Sequence, residues 1–571
     1  MSQNAANVVG VEVAQVETAP ADKPVGFVRQ ARLISGLTLV SRVLGVVRES
    51  LAAKFFGAGI VASAFAVAFT IPNLFRKLFG EGALSAAFIP LYAQSLKNDQ
   101  SETSREFAAA TVNLLIVLLG ALTVLGEIIL WAATHFIDLQ PDRLLAVKLT
   151  AIMLPYALLV CGMAFLSAIL QVHRRFGWSA ATPIVLNVAL ILGTILGARF
   201  WDMKAAAGQT KAVYFLSAFV LVAGVAQVLM LLPSLAAVGF RFDFRRTFWT
   251  PAVSKMVRLS MPVAIGAGVL QLSVLLDRGI SFFLASSIDR NGNLVSGFEI
   301  FGHWVRYPME LGAVARLNWA QYLYQFPLGV FAIALATAIF PTLSADALDA
   351  NKQKFIGGLR RGIRVTLWEG LPASIGLLLV ARPAVQLLFE RGNFTPADTI
   401  WVTKSVQLYA LGIWAFSLNQ ILSRAFFAMH DTITPLVMAV ITLVVNLLVE
   451  LPLIFTPLKE AGMAAGTTVS FIVQVLLMLW LLRRRLPGLG LRSLAAYVGQ
   501  LGCATGVMMG VCSLVQKAPF FPADQGKGTT WLRLGILVIS GAAAYLGMCK
   551  VMGIGWKRDE PPEEPQVNPE C

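Results

Sequence analysis

Arg42, Arg48 and Glu49 interrupt a largely apolar run that begins at Leu33 and would otherwise enter a membrane without a charge. An ionisable side chain inside such a span costs at least ~2.5 kcal/mol on insertion scales, so it faces a cavity, pairs with another charge or snorkels to the headgroups. At about 100° per residue, Arg42 and Glu49 share one helical face two turns apart and Arg48 lies a third of a turn away, so both arginines can reach one cavity. A guanidinium stays charged and offers a planar fork of donors suited to phosphate oxygens. Arg76 and Lys77 follow Pro72 closely, and Glu81 lies between Gly80 and Gly82. Pro72 is expected to break or bend its helix, and helices interrupted beside charges are the usual pointer to a transporter site. Lys77 reads as an ordinary basic flank.

A second set of residues is acidic or neutral. Asp277-Arg278 follows directly on the apolar stretch Leu272–Leu276. Adjacent helical side chains point about 100° apart, so Arg278 can face the same cavity as Arg42 without being neutralised by Asp277. Asn446 and Glu450 are four apart and share a face, and Thr467 belongs to the following span. Asp277, Asn446, Glu450 and Thr467 offer hard oxygen ligands to a coupling Na+ or H+; the rival reading is a set of separate polar contacts between helices. The sequence points to no other cofactor. Cys161, Cys503, Cys512 and Cys549 lie in apolar runs, Cys571 ends the chain, and His135, His173, His303 and His430 are scattered, which excludes a fixed metal centre or a disulfide framework.

The elements that carry these residues must be membrane helices. Of 571 residues, 57% are hydrophobic and 13% charged, with mean hydropathy +0.72. A soluble chain is about half apolar and a quarter charged, so an ordinary cytosolic enzyme, a nucleic-acid-binding protein and a disordered regulator are excluded. No Walker sequence or nucleophile elbow is present, so the chain reads as no enzyme. Apolar runs near the ~20 residues a crossing needs predict about fourteen spans. They are Ala31–Phe56, Ile60–Phe79, Phe107–Phe136, Leu145–Val172, Ala181–Phe200, Ala212–Leu235, Val253–Ser287, Leu317–Leu343, Gly362–Phe389, Trp401–Ala428, Thr434–Phe455, Gly462–Leu482, Ser493–Val515 and Trp531–Met552.

The formal charge of +15 is concentrated in alternate loops, at Arg174-Arg175, Arg241, Arg245, Arg246, Lys352, Lys354, Arg360, Arg361 and Arg483–Arg485. The opposite loops are poorer in basic residues by roughly two to one, so both termini are expected in the cytosol. Residues 1–27 read as a disordered cytosolic extension, 28–552 as the transmembrane domain, about 288–316 as a periplasmic insertion that is either a small cap over an outer opening or a tolerated surface insertion, and 553–571 as an acidic, proline-rich cytosolic tail.

Several collinear motifs carry a resemblance. Ser41-Arg42-Val43-Leu44-Gly45 with Arg48, Phe56-Gly57-Ala58-Gly59, and Ile71-Pro72-Asn73-Leu74-Phe75-Arg76-Lys77-Leu78-Phe79 with Glu81 come first. Thr182-Pro183-Ile184-Val185-Leu186-Asn187, Phe326-Pro327-Leu328-Gly329-Val330, Phe389-Glu390-Arg391-Gly392-Asn393-Phe394-Thr395 and Phe426–Thr432 follow. Together, from about Arg32 to the last span, they resemble the MurJ (MviN) lipid II flippases of the multidrug/oligosaccharidyl-lipid/polysaccharide exporter superfamily. The resemblance implies an all-α polytopic protein of the bacterial inner membrane, with about fourteen helices in two lobes around a central cationic cavity. It implies that Arg42, Arg48 and Arg76 line that cavity and that Glu49 and Glu81 pair with them. The cargo it implies is lipid II, the undecaprenyl-pyrophosphate-linked disaccharide-peptide, carried from the cytosolic to the periplasmic leaflet by alternating access. Membrane potential or a cation gradient would drive the movement, and the cell-wall synthesis machinery would be a partner.

Two positions depart from the family pattern. Gln321-Tyr322 stands where many members carry Asp-Arg, and Ser63 stands where they carry an acidic residue. Arg278 or Arg316 is expected to supply the missing cavity charge. Rival readings are an exporter of another lipid-linked oligosaccharide, an exporter of drug-like cations, and a non-transporting scaffold for cell-wall enzymes.

Overall fold

The computed structural model describes residues 24–80, 83–97, 101–244, 248–300, 302–347, 352–518, 521 and 527–555. Glu81, Cys571 and most of the two expected tails lie outside these residues. Eighteen α-helices form the body: α1 (Pro24–Phe56), α2 (Ile60–Phe75), α3 (Ala83–Lys97), α4 (Ser101–Phe136), α5 (Pro141–Met153), α6 (Tyr156–Val172), α7 (Phe176–Phe200), α8 (Ala206–Ala237) and α9 (Pro251–Phe283), then α10 (Ala313–Pro327), α11 (Ile333–Ala347), α12 (Lys352–Leu388), α13 (Pro396–Ala410), α14 (Ile413–Ala428), α15 (Ile433–Ile454), α16 (Glu460–Arg485), α17 (Leu491–Lys517) and α18 (Lys527–Val551).

Joined across the α5–α6, α10–α11 and α13–α14 breaks, these helices make the fourteen segments expected from the sequence and one more, α3, which falls in a stretch where no span was expected. Among the described residues, nine helices are long and apolar enough to cross a membrane, or ten with α5 and α6 taken as one span bent by 41°. The bend falls at Leu154-Pro155, where the ring removes a ladder N–H. The other four expected segments carry charges within the run, as α1 and α9 do, or are interrupted, as α10–α11 and α13–α14 are. Pro72 does not break α2 as expected. Its effect stays local, Asn73 Nδ2 donates to Phe69 O (3.3 Å), and the ladder widens only afterwards into a π-turn over Arg76–Gly80. A second π-turn, Leu328–Ala332, follows Pro327.

Buried apolar side chains of α2–α9, with Phe56 of α1 and Val314 of α10, form one core, and those of α10–α18 form two adjoining ones, one of which also takes in Ala53, Ala285 and Met309; the two groups make two lobes. The basic loops, such as Arg174-Arg175 and Arg483–Arg485, lie at one end of both lobes. The expected insertion lies at the other end and holds two antiparallel hairpins. Ser287–Ile288 (β1) pairs with Leu294–Val295 (β2), and Gly297–Ile300 (β3) pairs with His303–Arg306 (β4). α10 begins at Ala313, so Arg316, at the end of the expected insertion, belongs to that helix. The insertion rests on the turn between α4 and α5 through Arg290–Asp138, Ser287–Gln140 and Arg143–Tyr307 (3.0 Å) contacts.

At the hairpin end the lobes meet through backbone groups and small polar side chains. Asn393, between α12 and α13, donates its N–H to Lys54 O (2.9 Å) and its amide to Phe55 O and Met203 O, both at 2.6 Å. Ser50 Oγ donates to Leu388 O (2.5 Å), and the Ala315 N–H donates to Ser63 Oγ (3.4 Å). Gly57 and Gly392 both hold φ +60, and a Cβ on Gly57 would lie 2.8 Å from the Asn393 carbonyl carbon. Only glycine takes that conformation and that approach without strain. Gly392→Ala should therefore weaken this seam by about 1–3 kcal/mol. The expected signs are a lower melting temperature and faster thiol labelling of a Ser50→Cys reporter; unchanged labelling would remove the seam's claim to hold the lobes together.

Candidate functional site

Between the lobes lies a cavity of about 1370 Å³ that runs from the basic end, at Arg76, Lys77 and Gln171, to Phe56 and Val61 just beneath the seam. Its walls come from α1–α3, α6–α10 and α14–α16. Among the described residues, the charged lining side chains are Arg42, Arg48, Arg76, Lys77 and Arg278 against Glu49 and Asp277, an excess of three positive charges (5 − 2).

The first lobe supplies most of that charge. Arg48 Nη2 pairs with Glu49 Oε1 at 2.6 Å, and its Nη1 donates to Asn187 Oδ1 at 3.0 Å. Asn187 in turn donates to Ser41 O (3.0 Å), and Trp319 of α10 donates to Glu49 Oε2 (3.1 Å). One carboxylate thus joins the cationic helix α1 to the second lobe. Arg76 stands in the π-turn, with Nε 3.3 Å from Asn73 Oδ1, and Lys77 is exposed at the cavity rim. Arg42 is different: it has no hydrogen-bond or ion-pair partner among the described residues. Its guanidinium lies flat against Gly329, where a Cβ would come within 2.5 Å of Nη2. Reciprocally, Tyr322 OH fills the space above Gly45, 2.5 Å from where a Cβ would stand.

The second group of predicted residues is only partly on the wall. Asp277 and Thr467 line the cavity, while Asn446 and Glu450 lie behind it at 3% and 0% exposure. Asn446 Nδ2 bridges Asp277 Oδ1 and Glu450 Oε2, both at 3.0 Å. Asn446 Oδ1 and Glu450 Oε1 are buried without a partner among the described residues. Gly466 permits this packing, since a Cβ there would stand 2.7 Å from that of Glu450. The Thr467 hydroxyl donates to Met463 O (3.1 Å), which leaves its oxygen free to accept.

Arg278 and Arg316, alternatives in the sequence, separate clearly. Arg278 lines the cavity and is held by neutral oxygens, donating to Val314 O (3.3 Å), Asn318 Oδ1 (2.8 Å) and Gln321 Oε1 (2.9 Å). Arg316 does not reach the cavity. It is buried against Glu460 (2.6 Å) and Asp398 (3.5 Å), with Glu310 at 4.0 Å, and Glu310 also pairs with Lys459. A buried guanidinium surrounded by carboxylates is already compensated, so of the two alternatives for the charge absent at Tyr322 only Arg278 stands at the cavity. Asn187, Trp319 and Gly329 were not assigned a role from sequence. Asn187 carried a signal, an amide within an apolar span, whereas Trp319 and Gly329 act through partners distant in the chain.

A family model described as lipid II flippase MurJ matches residues 52–521. The chain is 33% identical over 458 residues to a probable lipid II flippase MurJ of Rhizobium meliloti, covering 79% of this chain and 80% of the relative. It is 30% identical over 551 residues to a protein of Vibrio cholerae described in the same words, covering 92% and 96%. The fold superposes on the solved structure of lipid II flippase MurJ in an inward closed conformation with TM-score 0.71 and 23% identity, over 91% of this chain and 98% of that one. An inward-facing multidrug resistance transporter of the MATE family superposes with TM-score 0.61 and 13% identity, over 80% and 98%.

The two arginine environments predict different costs. Arg316→Ala strands buried carboxylates and should destabilise the protein by about 3–5 kcal/mol, whereas Arg278→Ala leaves only neutral acceptors and should cost about 1–3 kcal/mol. Thermal unfolding of the ligand-free protein in detergent checks the order; a larger loss for Arg278→Ala would contradict it.

Proposed function

The chain belongs to the MurJ lipid II flippase family, a transporter and not an enzyme, and we propose that it carries lipid II across the inner membrane by alternating access within this cavity. The observation that supports this most is the cationic wall formed by Arg42, Arg48 and Arg76, with Arg42 lacking any protein acceptor among the described residues. A pyrophosphate supplies the anionic oxygens that such forks bind in pairs. The basic end faces the cytosol, in keeping with the positive-inside rule, so a cavity closed at the seam is open inward and the hairpins lie in the periplasm. The polyprenyl tail stays in the bilayer while the headgroup enters.

Asp277, Asn446, Glu450 and Thr467 are the candidate holders of a coupling cation. Their donor set is oxygen-rich, and two buried acceptors lack partners, which suits Na+ or a proton. Membrane potential acts on the same cycle at ~2.3 kcal/mol per charge per 100 mV. An emptied cavity with excess positive charge is drawn back toward a negative interior, so the potential favours the return step. An exporter of drug-like cations shares the architecture, but five basic lining residues against two acidic ones among the described residues oppose a cationic cargo.

In cells depleted of their own flippase, this protein should render labelled lipid II accessible from the periplasmic leaflet, and Arg42→Ala should reduce that by tenfold or more, about 1.4 kcal/mol. Lipid retained in the inner leaflet by the parent protein sinks the reading, and full activity of the variant removes Arg42 from it. Asp277→Asn and Glu450→Gln should each abolish any stimulation of transport by a Na+ or proton gradient in vesicles while leaving lipid II binding intact. Stimulation that persists in both variants moves the coupling ion elsewhere.

A further inference from the structure

The wall opposite the arginines has a chemistry of its own. Seven residues from α14, α15 and α16 line it (Asn419, Ala439, Thr442, Leu443, Thr467, Phe471 and Gln474), and none is ionisable. Thr467, Phe471 and Gln474 fall at i, i+4 and i+7, one stripe along α16 that leads from the Asp277 region toward the basic end. Gln474 is 5% exposed. Gln474 Oε1 and Asn419 Oδ1 are buried without partners, and neither amide makes a hydrogen bond among the described residues. Whichever way each amide is turned, a polar end is left over, and a buried donor or acceptor left over is costly. Phe471 packs edge-on against Phe416, with centroids 4.9 Å apart at 87°, and this contact fixes its ring at the cavity wall.

We propose that Asn419, Gln474 and Phe471 form a glycan subsite, which takes the uncharged N-acetylated sugars of the cargo while the opposite wall holds the pyrophosphate. Hydroxyl and acetamido groups bring both donors and acceptors, which match two unsatisfied amides, and the apolar face of a sugar ring lies against an aromatic side chain. A carboxylate-bearing peptide finds no cation on this wall. The assignment rests on the flippase reading for the identity of the cargo, and on the cavity alone for the chemistry.

The test measures binding by the full-length protein in nanodiscs of three lipids: undecaprenyl pyrophosphate, a peptide-free undecaprenyl-pyrophosphate disaccharide of N-acetylhexosamines, and lipid II. Gln474→Met, Asn419→Leu and Phe471→Leu should each weaken both sugar-bearing lipids at least ~5-fold and leave the sugar-free carrier within about 2-fold. Phe471→Leu removes the ring without touching either amide, so a fold defect confined to an amide variant does not spare the proposal. Equal loss for all three lipids makes the residues packing elements and overturns it, as does no loss for the disaccharide lipid. A loss confined to lipid II assigns the wall to the peptide and also overturns it. If the parent binds the disaccharide lipid through these residues but not lipid II, the subsite stands and the lipid II reading falls. If the parent binds neither sugar-bearing lipid better than the bare carrier, the subsite falls.

Discussion

A guanidinium in an apolar helix must be given an anion, an acceptor or water, and this requirement shapes the molecule. Four arginines meet it in four ways. Arg316 is surrounded by carboxylates and behaves as a structural tie between α10, α13 and α16. Arg48 shares one carboxylate with Trp319 across the lobe boundary. Arg278 receives only neutral oxygens, and Arg42 receives none, so both keep their charge available to the cavity. Two lobes with water-accessible space between them are the arrangement that allows charges of the last kind to exist in a membrane at all.

The seam that closes this space is economical in a way that suits a moving part. Five lobe-crossing hydrogen bonds, three from Asn393 and one each from Ser50 and the Ala315 N–H, join the lobes at the hairpin end. At about 0.5–1.5 kcal/mol net for each, they contribute about 3–7 kcal/mol. Reversing a two-state population from 1:99 to 99:1 takes about 5.5 kcal/mol of differential binding, which is the same scale. A seam stitched by large apolar side chains would exceed what a ligand can supply. Glycines at 57 and 392 let the two backbones approach, and the side chains that complete the bonds, those of Asn393, Ser50 and Ser63, are small and polar.

Much of this was legible in the sequence because membrane insertion penalises charge so heavily. The fourteen segments and the positions of Arg42, Arg48, Glu49, Asp277 and Arg278 all follow from where charge interrupts an apolar run. What the sequence could not separate was partner from cavity. Arg278 and Arg316 look alike as arginines near the ends of neighbouring spans, and only the fold shows that Glu460, 144 residues from Arg316 in the chain, has claimed one of them. Period alone likewise did not reveal that the ladder would run through Pro72 and relax at Arg76–Gly80, since that depends on what packs around the freed carbonyls. The same reason hid Gly329 and Gly45, whose only contribution is to leave room for side chains of the other lobe.

The asymmetry of the cavity has a consequence for how a cargo can drive the cycle. A ligand that binds two conformations equally shifts neither, however tightly it is held. Arg42, Arg48 and Arg76 all stand on α1 and the end of α2, so an anion held by them keeps most of its contacts whichever way the lobes are tilted. Contacts to the opposite wall, by contrast, must change as that wall moves relative to the arginines. Arg278, on a helix that packs against both lobes through α3 and α15, stands between the two. In the proposed cycle, affinity for the anion would therefore belong to the first lobe, and the difference in affinity that moves the equilibrium would have to arise at Arg278, at the Asp277–Asn446–Glu450 cluster and along the neutral wall beyond them.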